Sequence, residues 1–245
     1  VYFQQAVDLD TGLSNASLIG LDGYTQSIIA ALPSAEGKKV DCGTPDIVAK
    51  RGLTKCSWSG LAPAVVPTLT SPAGVPPEEA YKDWLSYNIT RPATNSTSLF
   101  NATFEVTGQN TRACKILFDR PVSYIHIHGS SSDRRFKPVG EHGTTELRLW
   151  SREWQNTWRV DVAWAASADA VAAAETMKKK KGNGTEPQPE PEPLGMDGRV
   201  VCLWSDANES GTIPALEEVW RFAPRWSVPS KAGDGLVEGF KSFAI

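Results

Sequence analysis

His126 and His128 stand two residues apart in SYIHIHG, and with His142 they are the only imidazoles in this 245-residue chain. On a β-strand, residues i and i+2 share a face, so both rings would project together and could bind a metal. A third ligand from a neighbouring strand would complete a three-histidine zinc site of His126, His128 and His142, open to water at its fourth position, as in a metal hydrolase. The competing expectation is no metal. His142 sits in VGEHGTT, a glycine-flanked turn whose position over the sheet the sequence does not fix, and no residue stands out as an acceptor for the second nitrogen of a ligating ring. In that reading Ile125 and Ile127 pack inward, and the imidazoles lie on an outer face near Asp133, Arg134 and Arg135.

Other chemistry is thin. The sequence has no H-E-x-x-H, no G-x-S-x-G, no phosphate-cradling glycine loop and no G-x-G-x-x-G, so no catalytic residue is assigned. Asp8 and Asp10 in VDLDTG mimic the start of a calcium loop, but the later acidic ligands are missing and a turn is expected. Trp150, Trp154, Trp158 and Trp164 cluster on two successive strand-like segments. Exposed, they could stack on sugar rings, as in a lectin-like carbohydrate-binding module; buried, they would be core.

The net charge of −3 gives no basic footprint for nucleic acid. No apolar run approaches the roughly 20 residues that cross a bilayer. Six of the eight asparagines, Asn15, Asn88, Asn95, Asn101, Asn183 and Asn208, stand in the N-x-S/T pattern, which points to a glycosylated, lumenal surface. The four cysteines form no C-x-x-C pair, and an even count suits disulfides in an oxidising compartment. Cys42 is expected to bridge Cys56 locally, leaving Cys114 to join Cys202; buried free thiols are the alternative. A lumenal chain without a secretion signal is expected to be part of a longer protein.

The elements that must position these residues are mostly strands. From residue 97, SLFNATFEVTG, RACKILFD, VSYIHIHG, TTELRLWSREW and TWRVDVAWAA follow one another at period two with short turns. This predicts a mainly β fold, an antiparallel, jelly-roll-like β-sandwich with a few short helices. Residues 1–96 form an N-terminal part, with helices over GYTQSIIAALPSAEG and PPEEAYKDWLSY and a disulfide-held loop over 40–75. Sandwich strands fill 97–166. Residues 167–194, with KKKKGNGTEPQPEPEP, read as a disordered insertion. GRVVCLWSD, the short helix IPALEEVWRFAP and DGLVEGFKSFAI then close the same domain over 195–245.

The segment RVVCLWSDANESGTIPALEEVWRFAPRWSVPSKAGDGLVEGFKSFAI closely resembles the end of the fungal vacuolar membrane proteases, multi-spanning relatives of the ER metallopeptidases. VYFQQAVDLDTG, GYTQSIIAALPSAEGKKV and LTKCSWSGLAPAVVP resemble the start of the same proteins' large C-terminal lumenal segment. The likeness is weakest over 167–194. It implies a parent whose N-terminal peptidase domain, akin to zinc aminopeptidases, carries the zinc, with transmembrane helices between that domain and this one. No catalytic or metal-binding position of the peptidase motif has a counterpart here, so no cofactor is expected in this chain. The resemblance implies a non-catalytic accessory domain on the lumenal side of the vacuolar membrane, with the parent's peptidase domain and membrane segment as partners, alongside proteins or glycans of the lumen. A lectin-like module and an independent metal hydrolase built on His126, His128 and His142 are the other readings.

Overall fold

The computed structural model describes residues 1–45, 52–67, 81–92, 99–131, 135, 139–165 and 195–245. In chain order the elements are β1 (Tyr2–Asp8), β2 (Ser14–Gly20), α1 (Tyr24–Ala30), a 3-10 turn (Pro33–Ala35), β3 (Asp41–Gly43), β4 (Thr54–Trp58), β5 (Leu85–Thr90), β6 (Leu99–Gly108), β7 (Ala113–Val122), β8 (Tyr124–Ile127), β9 (Thr144–Trp150), β10 (Thr157–Ala165), β11 (Asp197–Trp204), α2 (Pro214–Phe222), β12 (Ser230–Lys231) and β13 (Val237–Ala244). They build two sheets. The nine-stranded sheet runs β3-β4-β2-β1-β13-β11-β7-β9, with β12 also against β1, and the four-stranded sheet runs β5-β6-β10-β8. From β6 to β11, successive strands alternate between the small and the large sheet. That wrapping is the jelly-roll-like arrangement the strand succession predicts.

Period two explains the layers. In β10, Trp158, Val160, Val162 and Trp164 are buried while Thr157, Arg159 and Asp161 face out. In β6, Phe100, Ala102, Phe104 and Val106 point the same way, and Phe104 meets Phe118 of β7 and Phe243 of β13 edge-on at 5.9 and 5.1 Å. Each of the valine and phenylalanine side chains among them contributes about 1.5–3 kcal/mol by leaving water. The Asp8 carboxylate accepts the amides of Asp10 and Thr11 at 3.0 and 3.1 Å, the turn expected there.

The N-terminal part holds more strand than the sequence announces. Residues 40–75, expected as loop, contain β3 and β4; residues 76–80 of the second expected helix lie outside the described residues, and its end belongs to β5. Among the described residues, pairing is antiparallel except that β1 lies parallel to β12 and β13, while its other neighbour β2 is antiparallel. The insertion over 167–194 also lies outside the described residues. Among the described residues, no helix is long and apolar enough to cross a membrane.

Both expected disulfides are present. Cys42 and Cys56 face each other across β3 and β4, and Cys114 and Cys202 across β7 and β11. The small sheet reaches the second bridge through Gly108, where a Cβ would lie 2.5 Å from Thr111 Cγ2 and 2.8 Å from Cys202 Sγ. Helix α2 starts on Pro214 and buries Ala215, Leu216 and Val219. Its Glu218 carboxylate accepts the Ser34 amide at 2.7 Å and the Ser34 hydroxyl, which fixes the 3-10 turn to the helix.

Sequence separation orders the two bridges. Cys114–Cys202 spans 88 residues and Cys42–Cys56 spans 14. Replacing both Cys114 and Cys202 by Ala should cost on the order of 4–5 kcal/mol in urea unfolding, and the Cys42→Ala/Cys56→Ala pair about 3 kcal/mol. Equal losses would remove loop closure as the explanation.

Candidate functional site

The histidine pair is set by β8. Ile125 is buried and Ile127 packs against the core from the same strand, so alternation turns His126 and His128 outward. β8 pairs with β10 in a register that puts Ile125 opposite Val162, His126 opposite Asp161 and Ile127 opposite Val160. The ladder continues one residue past β8, where the His128 amide donates to the Arg159 carbonyl at 2.9 Å. With Val160 and Val162 held in the core, Asp161 must face the same outer surface as the two rings.

All three side chains converge on one oxygen. Asp161 Oδ2 is 2.8 Å from His128 Nε2 and 3.7 Å from His126 Nδ1, and the imidazoles meet edge-on with centroids 4.7 Å apart. From β6, the Thr103 hydroxyl donates to the other oxygen, Asp161 Oδ1, at 2.7 Å. Partial burial pushes the Asp161 carboxyl up, but the hydrogen bonds from Thr103 and His128 and the charge of the two imidazoles outweigh it and hold the group below the usual carboxylate range. One potential ligand atom from each of His126, His128 and Asp161 lies within 4.8 Å of the others.

This differs from the set expected from sequence. The third member is Asp161, while His142, exposed in the turn before β9, is not in the group. Asp161 is also the acceptor that could not be picked out beforehand. Its outward direction is written in the RVDVAW alternation, but its meeting with His126 depends on the β8–β10 register. Of the residues expected beside the pair, Asp133 and Arg134 lie outside the described residues.

The four tryptophans divide. Trp158 and Trp164 are core, whereas Trp150 and Trp154 are exposed and line an open cleft of about 810 Å³ together with Arg112, Arg148, Asp206 and Asp234. The Arg112 guanidinium lies over the Trp154 ring at 4.4 Å, and Arg148 bridges Glu146 at 2.7 Å and Asp234 at 3.0 Å. Flat rings beside fixed donors and acceptors are chemistry that suits a sugar.

Among the glycosylation patterns, Asn15, Asn88 and Asn208 are exposed and Asn101 is half-buried; Asn95 and Asn183 lie outside the described residues. Asn101 stands on the outward face of β6, two residues before Thr103.

The Thr103 bond makes a directional prediction. With Asn101→Gln as the common background, so that glycosylation is not a variable, Thr103→Val should move the Asp161 titration upward in a carboxyl-carbon NMR series. An unchanged or lower midpoint would show that Thr103 does not hold the carboxylate.

Comparison with known proteins extends the reading to the whole chain. Residues 1–238 match the family described as vacuolar membrane protease, C-terminal domain. The chain is 42% identical over 245 residues to the vacuolar membrane protease of Botryotinia fuckeliana, covering 100% of this chain and 21% of that protein. The corresponding protein of Pyrenophora tritici-repentis is 42% identical over 245 residues, with 100% and 23% covered. That of Aspergillus fumigatus is 45% identical over 245 residues, with 100% and 22% covered. The chain therefore spans about a fifth of the length of the curated relatives it matches. With the resemblance seen in the sequence matched over nearly all residues, this chain belongs to the vacuolar membrane protease C-terminal domain family.

Proposed function

We propose that this chain is a non-catalytic, lumenal accessory domain of a zinc metallopeptidase in the vacuolar membrane, serving substrate access, stability or partner contact for the parent enzyme. The observation that carries this reading is the coverage: all of this chain aligns with about a fifth of proteins named as vacuolar membrane proteases. The peptidase chemistry and its zinc then belong to the remaining four fifths. Two disulfides and exposed N-x-S/T asparagines suit the oxidising, glycosylating side of the membrane.

An exposed aromatic corner supports an orientation. Leu21, Tyr24, Trp226 and Val228 are exposed on neighbouring segments. Tyr24 and Trp226 meet edge to face at 5.2 Å. Rings with one apolar and one polar end favour the headgroup level of a bilayer, and Arg225 beside Trp226 suits anionic lipid. In this reading the aromatic corner faces the membrane.

A second reading, a lectin-like carbohydrate-binding module, has its own support in the exposed Trp150 and Trp154 of the cleft. A glycan array separates the two: binding that disappears in both Trp150→Ala and Trp154→Ala would favour the lectin.

The accessory reading predicts that the purified chain, given zinc, cleaves no peptide library, whereas the full-length parent does. Deleting the domain from the parent should lower its peptidase activity or its abundance at the vacuole at least severalfold. Peptide hydrolysis by the chain alone, or a deletion that changes neither quantity, would overturn the proposal.

A further inference from the structure

We propose that His126, His128 and Asp161 form a binding site for a divalent transition-metal ion of the zinc or copper kind. The inference rests on the outer face of the small sheet and does not depend on the accessory reading. Three donors of the right chemistry come from two paired strands: two imidazole nitrogens and one carboxylate oxygen. A nitrogen-rich set with one oxygen suits zinc, copper or nickel over calcium or magnesium, which prefer oxygen alone.

The distances fit. Metal–nitrogen and metal–oxygen bonds of about 2.0–2.1 Å at tetrahedral angles place ligand atoms roughly 3.3 Å from one another. The observed 2.8 Å and 3.7 Å from the shared Asp161 oxygen to the two rings bracket that value, and no ligand pair exceeds 4.8 Å. Small rotations of surface side chains are enough to admit an ion, with no movement of the paired backbone.

Preorganisation is the second argument. The register fixes all three Cα positions, and Thr103 holds Asp161 Oδ1 by a 2.7 Å hydrogen bond, leaving Oδ2 directed at both rings. Orientation of a ligating carboxylate by a hydrogen bond to its other oxygen is a recurrent feature of metal sites. A cation bound here would replace the His128–Asp161 hydrogen bond, and the remaining coordination positions would face solvent, open to water or to a donor from another molecule.

The test is metal binding by the untagged 245-residue chain, followed by calorimetry with zinc sulfate and separately with copper sulfate at pH 7.5. One equivalent of either ion should bind saturably. His126→Ala/His128→Ala and Asp161→Asn should each weaken that binding at least tenfold, in line with the loss of a ligand or of its immediate support. His142→Ala should leave it unchanged. Copper should broaden NMR signals of residues 126, 128 and 161 selectively, and zinc should raise the melting temperature of the native chain but not that of the double variant, whose fold is checked by its circular dichroism. No saturable binding, binding that survives the double variant, or binding lost with His142→Ala would overturn the assignment.

Discussion

The first strand lies parallel beside the last, Gln5 to Asp8 against Val237 to Phe240, and the rest of the large sheet is hung from that pair. Parallel neighbours cannot be joined by a tight turn, and here the connection is almost the whole chain. Strands β2 and β4 extend the sheet outward from β1, while β11 and β7 extend it from β13. The two ends approach closely at Gly239, where a Cβ would lie 3.0 Å from Trp204 and 3.1 Å from Leu9, both of which are buried. Closing so long a loop costs entropy that grows only with the logarithm of its length, so the arrangement is thermodynamically affordable but built on contacts far apart in sequence. The Cys114–Cys202 bridge removes part of that cost by joining β7 to β11.

The same constraint explains what could be read from the sequence. Strands β6, β7, β9, β10 and β13 each have one wet and one buried face, so their alternation is visible in residue types alone and the mainly β class follows from it; the cystine pairs rest instead on the even cysteine count and the short Cys42–Cys56 spacing. β1 hides its pattern because Gln5, fully buried, occupies an inward position; its amide donates to Ser14 Oγ and to the Leu61 carbonyl, each at 2.7 Å. β3 and β4 are too short and too rich in polar residues to announce themselves. β5 was obscured by the acids and prolines before it, which read as the start of a helix. In the candidate site, the direction of His126 and His128 was legible and their partner was not, because register is a property of two strands and the sequence displays one at a time.

Polar contacts then tie separate segments together where apolar packing alone would let them slide. Glu218 on α2 takes both donors of Ser34, and the Trp58 indole donates to the same hydroxyl at 3.4 Å, so helix, turn and β4 are fixed in one cluster. Lys115 and Glu238 pair at 3.1 Å on β7 and β13, the strands that flank β11, with both side chains largely covered. Such a pair adds less net stability than its Coulomb attraction suggests, since both charges lose water, and a partnerless charge there would be costly. It restricts which registers of β7, β11 and β13 are acceptable.

These restraints leave three surfaces with different chemistry, and the glycosylation patterns bear on what each can meet. Asn101 stands on the outward face of β6, and Asn88, exposed on β5, pairs in register with Glu105 of β6. Ala163, which neighbours Asn101 across the ladder, is two residues from Asp161 on β10. A glycan on Asn101 would therefore rise within a strand or two of His126 and His128. A branched sugar at that distance holds off a folded partner far more effectively than it hinders a hydrated ion. The aromatic corner of Tyr24 and Trp226 has no such pattern among the residues that form it, so a bulky neighbour is sterically easier to place there. With a glycan on Asn101, the outer face of the small sheet would suit a small ligand, and the Tyr24–Trp226 corner would have room for a larger one.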